Sequence, residues 1–245
     1  MKKPATSPSP PWTSLEILGL TIAILVIFFT ITSAIATLFL TLTLNHNPSL
    51  NPQVVAQSMQ TNGWVLSIAI LIAGSCSLVL LYATLTQRPA LTPSQYLALR
   101  KPRWTAWWIW NALLVALMLL SESILRTFQQ PETYTETLYR TTHSPILLYI
   151  AIVGIAPLFE ELLFRGFLFH GLQSSRLGSG GAILISALIW TILHAQYGGL
   201  SLVQIFVFGL LFGAARTQTQ SLFIPLSMHC LNNFLVLSIT SMTLP

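Results

Sequence analysis

Charged residues are scarce in this chain. Asp, Glu, Lys and Arg together make up 7% of its 245 residues, whereas a typical soluble domain is about 25% charged. Hydrophobic residues make up 53% of the chain, and the mean hydropathy is +0.72. The apolar residues form long uninterrupted blocks, which a soluble core does not require. This composition excludes a disordered chain, a collagen-like chain and an ordinary water-soluble enzyme, and it predicts an integral membrane protein.

Cysteine is nearly absent, which excludes a disulfide scaffold. The two cysteines, Cys76 and Cys230, lie in separate apolar blocks, and we expect both to be small buried apolar residues. Basic residues outnumber acidic ones by 11 to 6, but they are scattered around the apolar blocks and form no basic face. We therefore predict no nucleic-acid partner and assign the excess to loops beside a lipid bilayer.

The long apolar blocks predict an all-α fold, a polytopic transmembrane helical bundle of about seven spans. A helix needs about 20 mostly apolar residues to cross a bilayer. The candidate spans, of which the fifth and sixth are the shortest, are Leu15–Leu44, Trp64–Leu85, Trp104–Leu125, Pro145–Leu172, Gly181–His194, Leu200–Ala215 and Leu222–Met242. Between them, the stretch Asn45–Asn62 is predicted to be a loop. Residues 92–101 (TPSQYLALRK) are predicted to form a short amphipathic helix at the membrane surface.

The basic residues predict that the N-terminus lies in the cytoplasm. Residues 1–14 are expected to form a disordered cytoplasmic tail, followed by an uncleaved anchor helix. Arg126 and Arg140 then fall outside, and Glu122 is expected to pair with Arg126 at the i, i+4 spacing. Eight basic residues fall inside, in agreement with the positive-inside rule: Lys2, Lys3, Arg88, Arg100, Lys101, Arg103, Arg176 and Arg216.

Ionisable residues inside the predicted spans cluster in the C-terminal half of the chain. A charge at the centre of a membrane helix costs about 2.5–3.5 kcal/mol on insertion scales. Within the fourth span, Glu161 and Arg165 are four residues apart, so they share a helix face and can form an ion pair. Glu160 is rotated by about 100° from Glu161 and is left to face another element. The alternative is a structural salt bridge with a second, snorkelling glutamate.

Two further polar pairs follow at the same four-residue spacing. Trp190 and His194 end the fifth span, and His229 and Asn233 lie in the last span. Taken alone, His194 is more typical of an interfacial position, and the His229–Asn233 pair is consistent with hydrogen bonding between helices. Together, the three segments offer Glu, two His and Asn to one interior cavity. His170 lies outside this pattern and is expected to be an end-of-span or packing residue.

This set of side chains suits hydrolysis. A glutamate in a low-dielectric site can serve as a general base toward water, and a histidine beside it can hold the same water. A second histidine and an asparagine amide can donate hydrogen bonds to a tetrahedral oxyanion. The alternative is a catalytic zinc site with Glu160, His194 and His229 as ligands, although the sequence contains no His-Glu-x-x-His motif.

At these residues the sequence resembles the CPBP family, the CAAX-protease and bacteriocin-processing proteins, which include the type II CAAX prenyl endopeptidases. The family pattern is Glu-Glu-x-x-x-Arg, then Phe-x-x-x-His, then His-x-x-x-Asn or a similar polar residue. The matching residues are Glu160, Glu161, Arg165, His194, His229 and Asn233. Trp190 stands where the family has Phe, which keeps an aromatic ring. The resemblance covers the chain from Ser144 to Met242.

The resemblance implies an intramembrane endopeptidase, with N-terminal transmembrane helices and loops over residues 15–143 and a catalytic region over residues 144–245. The roles it implies are water activation for Glu160 and His194, oxyanion stabilisation for His229 and Asn233, and orientation of the site for Glu161 and Arg165. Family members are described as metalloproteases or as metal-free glutamate enzymes. The residues favour the metal-free mechanism and hence no cofactor, with Zn²⁺ as the alternative.

The implied partner is a membrane-associated protein or peptide substrate, and prenylated C-terminal peptides, leader peptides and other membrane proteins all remain open. A second hypothesis is a non-catalytic membrane scaffold or immunity-type protein on the same fold, which the presence of every motif residue disfavours. A third is a transporter with a Glu/His proton relay. That hypothesis calls for paired repeats with broken helices, and the sequence shows no such repeat.

Overall fold

The computed structural model of the chain describes residues 12–88, 91–128 and 134–244, so the predicted N-terminal tail up to residue 11 lies outside the described residues. Within these ranges every regular element is a helix, as predicted. In chain order the helices are α1 (Ser14–His46), α2 (Pro52–Gln60), α3 (Gly63–Thr86), α4 (Pro93–Tyr96), α5 (Trp104–Thr127), α6 (Tyr134–Thr141), α7 (Pro145–Gln173), α8 (Gly178–Ile192), α9 (Gly199–Thr219) and α10 (Phe223–Thr243).

Six of the described helices are long and apolar enough to cross a membrane, namely α1, α3, α5, α7, α9 and α10. They coincide with six of the seven predicted spans. The remaining predicted span is α8, an apolar helix of 15 residues. At 1.5 Å per residue it is about 22 Å long, which is shorter than the ~30 Å hydrocarbon core of a bilayer. The chain is an integral, multi-pass membrane protein.

Six basic residues of the described chain lie at one end of the bundle. Arg88 at the end of α3 forms an ion pair with Glu16 at the start of α1, with 3.2 Å between Nη2 and Oε1. The carbonyl of Arg100 accepts a hydrogen bond from the hydroxyl of Ser221, between α9 and α10. The residues at this end are Arg88, Arg100, Lys101, Arg103, Arg176 and Arg216. The grouping is that expected of alternating spans, and the cytoplasmic location of this end stays a prediction.

The short helix predicted after α3 is present, but it is packed into the bundle. α4 begins with a capping box at Thr92. Tyr96 is buried against Trp12 and Phe167 and contacts His170 of α7, with ring centroids 4.2 Å apart and the ring planes tilted by 42°. Burial raises the pKa of the Tyr96 phenol. The expectation of a membrane-surface helix was therefore wrong for this side chain, whereas the packing position expected of His170 is confirmed.

The structure contains two short helices that the sequence patterns do not predict. α2 lies in the stretch Asn45–Asn62, expected to be a loop, and is capped by the side chain of Asn51. α6 packs on the start of α3. The hydroxyl of Thr141 accepts the backbone N–H of Gly63 at 2.8 Å and donates to the carbonyl of Thr61 at 3.0 Å. Both helices lie at the end of the bundle opposite Arg88 and Arg100.

Two further expectations concern the burial of the cysteines and the pairing of Glu122 with Arg126. Cys76 is exposed and Cys230 is partly buried, so the prediction that both are buried was wrong for Cys76. In a membrane protein an apolar surface can face lipid, and an apolar block therefore does not imply burial in protein. The predicted pair of Glu122 and Arg126 lies outside the described residues, because the side chain of Arg126 is not among them.

α7 is not a uniform α-helix. Two π-helical segments, Ile150–Ile155 and Leu162–Leu168, flank a short α-helical segment, Ala156–Glu161. A π-helical turn pairs each amide with a carbonyl five residues earlier, and such turns occur frequently at functional sites. The repeat of 3.6 residues per turn assumed in the sequence analysis therefore does not hold beyond Glu161.

Each π-helical segment of α7 receives a side-chain hydrogen bond from a neighbouring helix. Asn233 of α10 donates from Nδ2 to the carbonyl of Ile152 at 2.9 Å. Arg216 of α9 donates from Nε to the carbonyl of Arg165 at 3.2 Å. Backbone carbonyls inside a membrane need a partner within the protein, so these two contacts stabilise the irregular helix that carries the candidate site.

The contact between α3 and α6 provides a test of the packing. A Cβ atom on Gly63 would collide with the backbone carbonyl of Leu138, so a side chain there forces the backbone to move. We expect Gly63→Ala to lower the free energy of unfolding by about 1–3 kcal/mol and to lower the Tm in detergent. The matched control is Gly19→Ala, because nothing lies within 4 Å of a Cβ atom there. An equal Tm for the two variants would contradict this contact.

Candidate active site

The centre of the bundle holds a fully buried ion pair. Arg165 donates from Nη1 to Glu161 Oε1 at 2.9 Å, and neither side chain is exposed. The pair spans one turn of α7, which confirms the i, i+4 pairing predicted from the sequence. In the described part of the chain, Oε2 of Glu161 and Nε of Arg165 have no hydrogen-bond partner, so the pair is joined through a single carboxylate oxygen.

Arg165 also holds α8 and α9 against α7. Its Nη2 donates to the carbonyl of Gly209 at 3.3 Å. Its guanidinium lies 4.7 Å from the ring centroid of Trp190 and 5.4 Å from that of Phe212. Gly209 permits the close packing of α9 on α8, because a Cβ atom there would lie 3.0 Å from the Cβ atom of Ala187. The cation is thus enclosed by two aromatic rings, a backbone carbonyl and one carboxylate.

His229 brings α10 to the same carboxylate. Its Nδ1 lies 2.9 Å from Glu161 Oε1. An ionised carboxylate only accepts hydrogen bonds, so Nδ1 carries the proton. The other ring nitrogen, Nε2, faces Glu160 Oε2 at 3.9 Å. His229 therefore stands between the two adjacent glutamates and is in hydrogen-bond contact with only one of them.

Glu160 is the accessible member of the glutamate pair. Its side chain is 20% exposed, whereas that of Glu161 is 0% exposed. Glu160 Oε2 accepts a hydrogen bond from the indole N–H of Trp190 at 2.5 Å. A charge-assisted contact of this kind orients the carboxylate and leaves its second oxygen for another partner.

His194 lies just beyond the end of α8, because the helix stops at Ile192 rather than at His194 as the predicted span did. Its Nδ1 lies 2.7 Å from the carbonyl of Trp190. A carbonyl only accepts, so Nδ1 carries the proton and Nε2 faces away from Trp190. Both Glu160 and His194 are described, and no hydrogen bond or ion pair joins them; Trp190 lies between the two.

Asn233 shares the α7-facing side of α10 with His229, as the spacing predicted. Its amide is directed to the backbone of α7 rather than to Glu160. Nδ2 donates to the Ile152 carbonyl, and Oδ1 accepts from the side chain of Asn232 at 3.0 Å. One N–H of the Asn233 amide is therefore used in holding two helices together.

Three further residues belong to the site and do not follow from motif reasoning. Trp190 is predicted only as an aromatic ring, although its N–H contacts Glu160. Phe212 packs against His229 with ring centroids 5.5 Å apart. Arg216, predicted to lie in a loop region, is 2% exposed and bonds the carbonyl of Arg165. Of these three residues, only Trp190 could have been found from the sequence. Its indole N–H is a hydrogen-bond donor at a position where the family pattern has Phe, which has none.

The described residues do not bring three His, Cys, Asp or Glu side chains close enough together to hold a metal ion. The alternative ligand set of Glu160, His194 and His229 is therefore not gathered into a cluster in these positions. Each of the two histidines has its Nδ1 bonded to a carboxylate or a carbonyl, as zinc-ligating histidines also do, so the hydrogen bonds of the rings do not decide between the two mechanisms.

Comparison with known proteins shows that the segment carrying this site is similar to a recognised family. Residues 142–235 match a family model described as "Type II CAAX prenyl endopeptidase Rce1-like". The matched segment contains α7, α8, α9 and the first part of α10. It includes all of the predicted site residues: Glu160, Glu161, Arg165, His194, His229 and Asn233.

A curated protein of Escherichia coli, named "Uncharacterized 24.3 kDa protein", is 36% identical over 87 residues. This match covers 34% of the present chain and 40% of the E. coli protein. No solved structure matches the chain. The ordered motifs, their convergence in a transmembrane bundle and the matching family model agree: residues 142–235 of this chain are similar to the type II CAAX prenyl endopeptidases.

Proposed function

We propose that this protein is an intramembrane endopeptidase that hydrolyses a peptide bond of a membrane-associated protein or peptide, with Glu160 as general base. The observation that carries the proposal is the contrast between two adjacent carboxylates. Glu161 is buried and bonded to Arg165 and His229, whereas Glu160 is partly exposed and faces Nε2 of His229. The carboxylate of Glu161 is thus engaged by Arg165 and His229, and the carboxylate of Glu160 is available to act on a substrate or a water molecule.

Water activation is assigned to Glu160 and His194. One oxygen of Glu160 is held by Trp190, and the carboxylate takes a proton from the water that attacks the carbonyl carbon of the substrate. His194 has its Nδ1 proton directed to the Trp190 carbonyl, so a neutral ring presents the lone pair of Nε2 to the same water. The proton on Glu160 then passes to the departing amine, which restores the carboxylate.

Oxyanion stabilisation is assigned first to His229. Because its Nδ1 proton goes to Glu161, Nε2 can donate to an oxyanion when the ring carries a second proton. Charge balance supports that state: two glutamates lie beside the ring, and Arg165 offsets only one of them. A cationic imidazole that donates to a developing negative charge is the kind of preorganised group that stabilises tetrahedral intermediates.

Asn233 is assigned the second contact to the oxyanion. It retains one N–H beyond the one donated to the Ile152 carbonyl. The bond to Ile152 fixes the amide on the irregular helix, and the remaining N–H is the donor in this proposal. Glu161 and Arg165 position His229 and hold α7, α9 and α10 together, and they do not contact the reacting atoms.

A metal-independent glutamate mechanism is favoured by the donor set. The described residues do not gather Glu160, His194 and His229 as a ligand set, and a glutamate base with histidine and asparagine donors gives each of these side chains a role. For the substrate, we propose prenylated C-terminal peptides as the first class to test, because the matched family model is described by that activity. Unlipidated peptides form the comparison class.

The general-base assignment predicts that Glu160→Gln lowers peptide cleavage by at least about 100-fold, because the amide cannot take a proton from water. Cleavage of a library of prenylated and unlipidated peptides is measured with purified protein in detergent. The matched control is Glu16→Gln, which makes the same change at a half-exposed carboxylate in the first turn of α1. Full turnover by Glu160→Gln would remove Glu160 from the mechanism.

The donor set also predicts that cleavage survives removal of metal ions. We expect the wild-type rate to be unchanged after incubation with a strong chelator, and unchanged again when Zn²⁺ is added back. Loss of cleavage on chelation that Zn²⁺ restores would instead require Glu160, His194 and His229 to rearrange into a ligand set.

Removing the partner of a buried cation is expected to be costly. Glu161→Gln leaves Arg165 uncompensated at 0% exposure, and we expect a loss of about 3–5 kcal/mol in the free energy of unfolding. The measurement is Tm and folding yield in detergent. Two comparisons sharpen it: Glu160→Gln should retain the wild-type Tm, and Glu161→Gln combined with Arg165→Gln should recover part of the loss. A Glu161→Gln variant as stable as the wild type would contradict the structural role of the pair.

A further inference from the structure

We infer that Trp190 is a positioning residue that fixes the carboxylate of Glu160 for proton abstraction. The inference rests on the proposed function, in which Glu160 is the general base. The indole N–H donates to Glu160 Oε2, with 2.5 Å between Nε1 and the oxygen. The family pattern has Phe at this position, and a Phe ring has no donor. The contact is therefore possible only because this chain has Trp at the position where the pattern has Phe.

The indole is held rigidly enough to orient its acceptor. Trp190 is 4% exposed. The guanidinium of Arg165 lies 4.7 Å from its ring centroid, Phe212 lies at 5.8 Å, and His229 meets it nearly edge-on at 5.3 Å. These neighbours come from α7, α9 and α10, so three helices fix the direction of the N–H. A fixed donor selects one orientation of the Glu160 carboxylate.

No other described group donates a hydrogen bond to Glu160. The nearest nitrogen of His229 is 3.9 Å from Oε2, which is beyond hydrogen-bond distance. Arg165 is bonded to Glu161 and to the Gly209 carbonyl instead. The Trp190 N–H is thus the contact that orients the accessible carboxylate.

Trp190 also connects Glu160 to His194. Its backbone carbonyl accepts the Nδ1 proton of His194 at 2.7 Å, and the two rings lie edge to face with centroids 4.9 Å apart. The side chain of one residue orients the proposed base, and its backbone orients the histidine proposed to hold the same water. Trp190, near the end of α8, therefore holds both of the groups proposed to activate water.

The kinetic test replaces the indole by a ring without an N–H. We expect Trp190→Phe to lower kcat about 10- to 100-fold, as for loss of a hydrogen bond to a charged group, with KM little changed because Trp190 contacts the base rather than the substrate. Benzothienylalanine at position 190 removes the N–H while keeping the ring shape and should lower kcat similarly. Trp108→Phe, at an exposed position on α5, should leave kcat unchanged. Wild-type kcat in Trp190→Phe would overturn the inference.

A spectroscopic test reports on the hydrogen bond without requiring activity. The indole ¹H–¹⁵N resonance of Trp190 is identified among the seven tryptophans by its absence in Trp190→Phe. A donor bonded to a carboxylate resonates downfield, so Glu160→Gln should move this resonance upfield, and Glu16→Gln should leave it in place. An unmoved resonance in Glu160→Gln would overturn the inference.

The two tests separate failure of the inference from failure of the proposed function. If Glu160→Gln moves the indole resonance but cleaves peptides at the wild-type rate, the general-base assignment fails while the Trp190–Glu160 contact stands. If Glu160→Gln is inactive and the resonance does not move, Glu160 remains the base and Trp190 does not position it. Both statements are supported if Glu160→Gln loses cleavage and moves the indole resonance, and if Trp190→Phe lowers cleavage while it retains the wild-type Tm.

Discussion

The buried ion pair of Glu161 and Arg165 is the constraint on which the rest of the site depends. A charge enclosed in protein within a membrane needs a partner of opposite sign and neighbours that complete its hydrogen bonds. Here α7 supplies both charges, α9 supplies the Gly209 carbonyl, and α10 supplies His229. Aromatic rings from α8 and α9 cover the guanidinium. Four helices must therefore pack in one arrangement for the pair to be accommodated.

This arrangement gives two neighbouring glutamates different properties. Glu161 is neutralised and inaccessible, whereas Glu160, one residue earlier, is partly exposed and oriented by an indole N–H. Adjacent residues on a helix point in directions about 100° apart, so one turn of α7 can serve structure and chemistry at once. The pair positions His229, and His229 in turn faces Glu160, so the structural carboxylate also orders the groups around the accessible one.

The irregular backbone of α7 also depends on contacts from neighbouring helices. Its two π-helical segments lie on either side of the glutamates, and each has a carbonyl bonded by a side chain of another helix, from Asn233 and Arg216. Helices that depart from α geometry inside a membrane are tolerated where neighbours satisfy the backbone. Asn233 therefore has a structural contact as well as the oxyanion role proposed for it, and Arg216 explains why a cation is retained in the last turn of a span.

Features that depend on local spacing could be predicted from the amino-acid sequence. Apolar length predicts the spans, and the i, i+4 rule predicts the Glu161–Arg165 pair, because neither requires knowledge of another helix. The groups that each side chain contacts on other helices could not be predicted in this way, because they depend on how the helices pack. The burial of Tyr96, the donor role of Trp190 and the direction of the Asn233 amide all depend on contacts between segments distant in sequence. The unpredicted helices α2 and α6 belong here too, since short helices of this length are stabilised mainly by packing.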